Sequence, residues 1–192
     1  MPEEKLKETP LLSMMKETGA FLEGHFRLTS GLHSGHYMQC ALLLSVPKYA
    51  EFAGRELASL LAPLSPRAVF APALGGLIIG HEVARNLDVP FFFAERENGA
   101  MKLRRFPKPG PIRFVVVEDV ITTGGSALEV GNLIRETGAE WVGTGCIVDR
   151  SSGKVSFPHP LHSLWQASFP TYTAEECPLC REGIPIEKPG SR

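Results

Sequence analysis

The chain has 192 residues, 20 Lys and Arg against 21 Asp and Glu, a formal net charge of -1 and 43% hydrophobic residues. Such a balance argues against a strongly basic, sequence-independent nucleic-acid binder, and it fits neither a disordered nor a fibrous chain. No run approaches the roughly 18 apolar residues of a membrane helix, and the charged start MPEEKLKE lacks the apolar centre of a secretory signal. A cytoplasmic protein is expected, bound to neither membrane nor nucleic acid.

Along the chain, Leu6, Leu11, Leu12, Met14 and Met15 among charges predict an amphipathic helix interrupted near Pro10. Residues 21–28 and 36–40 read as short strands separated by the turn-rich SGLHSG. Pro47 suits a first helical position, with Tyr49, Phe52, Ala53, Leu57 and Leu60 following at helical spacing. Continuous apolar runs then recur at 68–72, 90–93, 114–117 and 141–148, with helical patterns at 77–87 and 127–137. The second run leads into a loop and not into a helix. Short apolar runs alternating with helices predict an α/β fold with a mostly parallel central sheet and helices on both faces. Ligands of such sheets sit beyond the carboxyl ends of the strands. After residue 151, prolines punctuate the chain; 164–172 reads as one more strand and the rest as an irregular surface tail.

The segment with the clearest chemistry is VVVEDVITTGGSAL, residues 115–128. Three β-branched residues end in Glu118 and Asp119, and small hydroxyl and glycine residues then turn the chain into a helix. A helix start offers free backbone N–H groups and a positive dipole end, which receive a phosphate. Gly124 and Gly125 permit close backbone approach, while Thr122, Thr123 and Ser126 add hydroxyl donors. Two carboxylates would repel a phosphate, so they suit sugar hydroxyls or an accompanying cation. Together these make a site for a 5-phosphorylated ribose. The P-loop and dinucleotide fingerprints are absent; the bland alternative is a strand–turn–helix with an ordinary cap.

EDVITTGGSALE closely resembles the phosphoribosyl-diphosphate (PRPP) motif of type I phosphoribosyltransferases. Its VITTG core, with FRLTSG at 26–31 and CIVDR at 146–150, resembles the orotate phosphoribosyltransferase family. The resemblance spans residues 21–150. It implies a type I phosphoribosyltransferase core with a small hood from the two chain ends: residues 1–45 as helix and hood, 46–150 as core, 151–192 as strand and tail, all in one domain. It implies transfer of phosphoribose from PRPP to N1 of orotate, giving orotidine 5'-monophosphate and diphosphate, in pyrimidine biosynthesis. Mg2+ would be carried by PRPP, with no metal site on the protein.

By the same resemblance, Glu118 and Asp119 hold the ribose hydroxyls, Val120 and Ile121 continue the PRPP motif, and Thr122, Thr123, Gly124, Gly125 and Ser126 bind the 5-phosphate. Thr122 also lies beside orotate, whose carboxylate pairs with Arg150; a planar fork suits it better than an ammonium. Ala73, Leu74, Gly75 and Gly76 occupy the diphosphate loop, where the superfamily often has a non-proline cis peptide, here at Ala73–Leu74. Many relatives have lysine where Gly75 and Thr29 stand. Tyr37 falls where relatives place an aromatic ring near the pyrimidine, although a core tyrosine is an equal reading. Residues 95–108, ERENGAMKLRRFPK, carry five bases and two acids and read as a mobile lid. Arg96 and Lys102 are the best matches to the family's lid cations, with Lys102 and Asp119 as catalytic residues; Arg104 and Arg105 are further candidates. In relatives the lid reaches a neighbouring subunit, which implies a homodimer.

Two other readings stay open: transfer to a different base, and a PRPP or nucleotide sensor without turnover. Cys177 and Cys180 have the spacing of a metal knuckle, but a structural zinc needs four ligands. Cys40 and Cys146 are distant, and none of His25, His33, His36, His81, His159 and His162 has paired spacing. The two cysteines are therefore expected to form a reduced local turn.

Overall fold

The computed structural model describes residues 8–28 and 30–189. Leu6 of the expected first helix and Thr29 of the N-terminal motif lie outside the described residues. The elements, in chain order, are α1 (Pro10–Glu17), β1 (Phe21–Arg27), β2 (His33–Met38), α2 (Cys40–Leu44), α3 (Pro47–Leu61), β3 (Ala68–Pro72), α4 (Gly76–Leu87), β4 (Phe91–Glu97), β5 (Ala100–Lys102), β6 (Arg113–Ile121), α5 (Gly125–Arg135), β7 (Glu140–Asp149), β8 (Leu161–Gln166), β9 (Thr171–Tyr172) and α6 (Pro178–Arg181). They form two compact units. One is Leu44–Ser168; the other joins the N-terminal residues up to Leu43 to the C-terminal ones from Phe169.

The larger unit holds a six-stranded sheet ordered β5-β4-β3-β6-β7-β8. Pairing is parallel from β4 through β8, and β5 closes one edge antiparallel. Every residue of β3 is buried, as a continuous apolar run demands of a strand covered on both faces. On the α5 side, Phe70, Phe114 and Val116 pack with Ala127, Val130, Ile134 and Trp141. On the other side, Leu57 and Leu61 of α3 lie over Gly145, where an added Cβ would come within 2.9 Å of Leu61. From β3 the chain runs through α4 to β4 on one side; from β6 it runs through α5 to β7 on the other. The strand order therefore reverses between β3 and β6, a switch point whose carboxyl edge is a natural crevice for ligands.

The smaller unit holds a three-stranded antiparallel sheet, β1-β2-β9. Pro10 does not interrupt α1; it begins it. Thr9 caps the helix by accepting from the Leu12 N–H at 3.2 Å, and proline loses nothing at the first position because its missing N–H would have no intrahelical partner. The register shifts between Glu23 and Phe26, so the consecutive residues His25 and Phe26 are both buried.

The expected strand over 164–172 is corrected. It is two strands in two sheets: β8 pairs with β7, and β9 pairs with β2. Pro170 stands between them and has no N–H to continue a ladder. The tail is also more ordered than an irregular surface segment. Glu187 forms a parallel bridge to Phe26 through Arg27 N–H to Glu187 O and Glu187 N–H to His25 O, both 2.8 Å.

Candidate active site

The carboxyl ends of β3 and β6 flank the switch point and carry the two loops singled out by sequence. Glu118, Asp119 and Val120 end β6 half-buried, Ile121 is buried, and Thr122 and Thr123 are exposed. Gly124 turns the chain with φ 71°, a conformation glycine adopts without steric cost, and a Cβ there would meet Val155 Cγ1 at 2.6 Å. Gly125 and Ser126 then open α5. No side chain caps this helix, so the donors of its first turn remain available to an anion.

The two carboxylates stand in unusual surroundings. Burial, followed by the neighbouring Asp119 charge, pushes Glu118 from its ordinary 4.5 up to about 7. Burial also raises Asp119, opposed by the Val120 N–H that donates to its Oδ1 at 2.8 Å. Among the described residues neither forms a salt bridge. Paired acids held at a crevice without a cation have the electrostatics of a binding site and not of a structural ion pair.

Across the switch point, the Ala73–Leu74 peptide is cis, as the resemblance implied. Leu74 is 83% exposed, the highest value among the large hydrophobic residues described as exposed. Gly75 faces Asp119 closely: a Cβ at this position would stand 2.6 Å from Asp119 Oδ1 and 3.0 Å from its Cγ. Gly76 is equally confined, with Val117 O at 2.9 Å from a Cβ. In this chain a side chain at position 75 would require the Asp119 carboxylate to move from its place.

Arg150 follows β7 and is tied to the tip of β6 by its N–H donating to Ile121 O at 2.7 Å. A cavity of about 260 Å3 opens beside it, lined by Asp149, Ser152, Gly153, Gln166, Ala167 and Ser168. Tyr37 lies on β2 in the smaller unit, where its hydroxyl donates to Gln39 Oε1 at 3.1 Å.

The segment expected as a loop is in part regular structure. Residues 95–97 and 100–102 form a β-hairpin whose turn, Asn98-Gly99, has φ 51° and 85°. Asn-Gly is the preferred pair for a two-residue hairpin, so the signal stood in the sequence unread. Met101 is buried in the core beneath α5, and Phe106 packs edge-on against Phe92 and Phe93 at 5.3 and 5.1 Å. The cations of the segment meet acids. Arg96 makes a bidentate pair with Glu129 at 3.0 Å, Lys102 and Arg104 meet Glu97 at 2.8 and 3.1 Å, and Arg105 meets Glu95 at 2.9 Å. The structure thus brings Glu118, Asp119, Thr122–Ser126 and the 73–76 loop to one crevice, while Arg96 and Lys102 point their charge at partners elsewhere.

Cys177 and Cys180 are free thiols in one short turn, as expected, and the fold adds two histidines to them. In the smaller unit, Cys177 and Cys180 stand with His25 and His33, all four ligand atoms within 4.8 Å of one another. Spacing along the chain does not display this cluster, because the cysteines lie 152 and 155 positions from His25. The available signal was a histidine on each arm of the SGLHSG hairpin, which pairing brings side by side.

A parallel sheet with a phosphate-ready helix start and paired acids at its switch point defines a phosphosugar-binding domain of the phosphoribosyltransferase class. The family model for the phosphoribosyl transferase domain matches residues 45–157. Orotate phosphoribosyltransferase of Thermotoga maritima is 53% identical over 181 residues, 93% of this chain and 96% of its own length. The enzyme of the same name from Pelotomaculum thermopropionicum is 50% identical, with 95% and 96% covered. The crystal structure of orotate phosphoribosyltransferase from Aeropyrum pernix superposes with TM-score 0.67 at 27% identity, over 81% of this chain and 93% of that one. The adenine phosphoribosyltransferase of Thermoanaerobacter pseudethanolicus shares the fold at TM-score 0.58 and 17% identity, over 69% and 88%. The chain belongs to the orotate phosphoribosyltransferase family.

Proposed function

We propose that this chain transfers the phosphoribosyl group of PRPP to N1 of orotate, releasing diphosphate, as a step of pyrimidine nucleotide synthesis. The N1–C1 bond forms with the pair freed as N1 gives up its proton to water, while the C1–O bond breaks and its pair leaves with the diphosphate. The observation that carries this reading is the tip of β6. There, half-buried Glu118 and Asp119, which make no salt bridge among the described residues, stand at the strand end just before an uncapped helix start.

Each residue acts by its own chemistry. Glu118 and Asp119 accept hydrogen bonds from the ribose hydroxyls, fixing C1 in place. Backbone N–H groups from Thr122 through Ser126, with the hydroxyls, hold the 5-phosphate. Gly75 and Gly76 present backbone to the diphosphate without side-chain obstruction. Arg150 pairs with the orotate carboxylate beside Thr122. Arg96 and Lys102 stabilise charge growing on the leaving diphosphate, an effect that favours the transition state over bound substrate. Mg2+ enters as part of the PRPP substrate, where its charge offsets that of the diphosphate. Oxygen-only carboxylate donors fit such a hard cation. In their own chain Arg96 and Lys102 pair with Glu129 and Glu97 at exposed positions, so they reach diphosphate by exchanging these partners, in a second copy of a cytoplasmic homodimer as the family resemblance implies. No described helix is long and apolar enough to cross a membrane.

The test follows orotate absorbance on mixing enzyme, PRPP and Mg2+ with single bases. Orotate is expected to disappear with release of diphosphate. Turnover of uracil or hypoxanthine with none of orotate would refute the assignment of the base, and PRPP binding with turnover of no base would favour a sensor.

A further inference from the structure

We propose that His25, His33, Cys177 and Cys180 form a structural zinc site that ties the C-terminal tail to the β1–β2 hairpin of the smaller unit. This site is independent of the phosphoribosyl chemistry and involves none of its residues.

The geometry carries the assignment. His25 Nε2 lies 3.1 Å from His33 Nδ1, 3.5 Å from Cys177 Sγ and 3.7 Å from Cys180 Sγ. His33 Nδ1 lies 3.3 Å from Cys180 Sγ. Zinc binds nitrogen at about 2.0–2.1 Å and thiolate at about 2.3 Å in a tetrahedron, whose N···N and N···S edges are then roughly 3.3 and 3.6 Å. These four edges match those of a tetrahedral Cys2His2 shell to within a few tenths of an ångström, and the remaining two are shorter than 4.8 Å.

The surroundings orient the ligands. His25 Nδ1 is 2.8 Å from the Ile184 carbonyl and donates to it, which leaves the Nε2 lone pair facing the other three residues. A ligating histidine typically makes this second hydrogen bond, which fixes both tautomer and ring angle. The bulge between Glu23 and Phe26 turns His25 inward beside His33, with ring centroids 5.1 Å apart. Cys177 precedes the short α6 and Cys180 lies within it, so a single turn supplies both sulfurs.

The chemistry selects the metal and its role. Two thiolates and two neutral imidazoles around a divalent ion make a neutral cluster, which suits a site where His25, His33 and Cys177 are 3%, 7% and 0% exposed. Tetrahedral sulfur–nitrogen sets favour zinc over magnesium or calcium. Four protein ligands leave no open position for water or substrate, so the site is structural and not catalytic. The smaller unit has short strands and a modest apolar core, the condition in which small folds recruit a metal.

The test uses the full chain, purified without chelator and with any affinity tag removed, and reads metal by mass spectrometry. About one zinc per chain is expected. Replacement by Co2+ should give the intense visible absorption of a tetrahedral ion together with thiolate charge-transfer bands. Cys180→Ser, at an exposed ligand, should lower zinc affinity at least ~10-fold while leaving orotate turnover measurable. Should that variant not fold, the metal content and cobalt spectrum of the unmodified chain decide. Protein without zinc whose Co2+ complex lacks thiolate bands, or an intact mass showing a Cys177–Cys180 disulfide, would overturn the proposal.

Discussion

The two units are stabilised by different means, and their functional residues sit differently as a result. In the larger unit, apolar burial does the work: β3 is wholly covered, Phe70 and Phe114 are fully buried, and polar chemistry is left to the strand ends. In the smaller unit, His25, His33 and Ser34 are buried among the hydrophobic residues, and the cluster with the two cysteines takes a place that apolar side chains would otherwise fill. A large core leaves its edge free for a substrate site. A small one spends its polar groups on holding itself together.

If this contrast is right, changes at the strand tips should cost activity with little cost in stability. The largest effect is expected from Asp119→Asn, which removes a carboxylate that the proposed function places at the ribose. It should lower kcat/KM for PRPP by about 10²-fold or more with the melting temperature nearly unchanged. Lys102→Ala should follow, reducing kcat by roughly 10–10²-fold while PRPP binding by calorimetry changes little, because its contact strengthens only as diphosphate departs. Equal losses in binding and turnover would show that Lys102 acts in the ground state.

Gly75→Ala should be milder and more specific. The new methyl would meet Asp119 Oδ1 at 2.6 Å, so the carboxylate must move. A loss of about 10-fold in kcat/KM is expected, because small misplacements at a reacting centre are costly. Restored activity in Gly75→Ala protein at wild-type level would mean that Asp119 does not need its observed position.

The smallest effect concerns pH. A carboxyl raised from 4.5 to about 7 in the folded chain binds more protons there than when unfolded, so ligand-free stability should fall as pH rises across that interval and then level off. Glu118→Gln should flatten this slope and melt higher than the parent above pH 7, by an amount on the order of 1–3 kcal/mol in stability. PRPP affinity of the parent should move the other way, increasing toward pH 8 because the sugar hydroxyls need the charged form. Melting curves and titrations at both ends of the range check the two signs.

Much of the larger unit was legible in the sequence because its signals are local. The runs at 68–72 and 114–117 are apolar without alternation, which only a doubly covered strand explains, and Pro47 marks the start of α3. The acids, hydroxyls and glycines of 118–126 are consecutive, so one strand tip displays them together. The reason for Gly75 was not legible, since its neighbour Asp119 lies 44 positions away and meets it only through strand pairing. The hairpin at Asn98-Gly99 was missed because its flanking charges mimic a loop, while Met101 supplies the one buried anchor. The histidine–cysteine cluster joins residues about 150 apart through a bulge and a docked tail, and no spacing along the chain encodes that closure.

A crystal soaked with PRPP and Mg2+ tests the central claim most directly. The ribose hydroxyls are expected on Glu118 and Asp119, with the 5-phosphate seated on the first turn of α5. Electron density for the sugar at any other place, with the end of β6 empty or sealed by packing, would contradict the account.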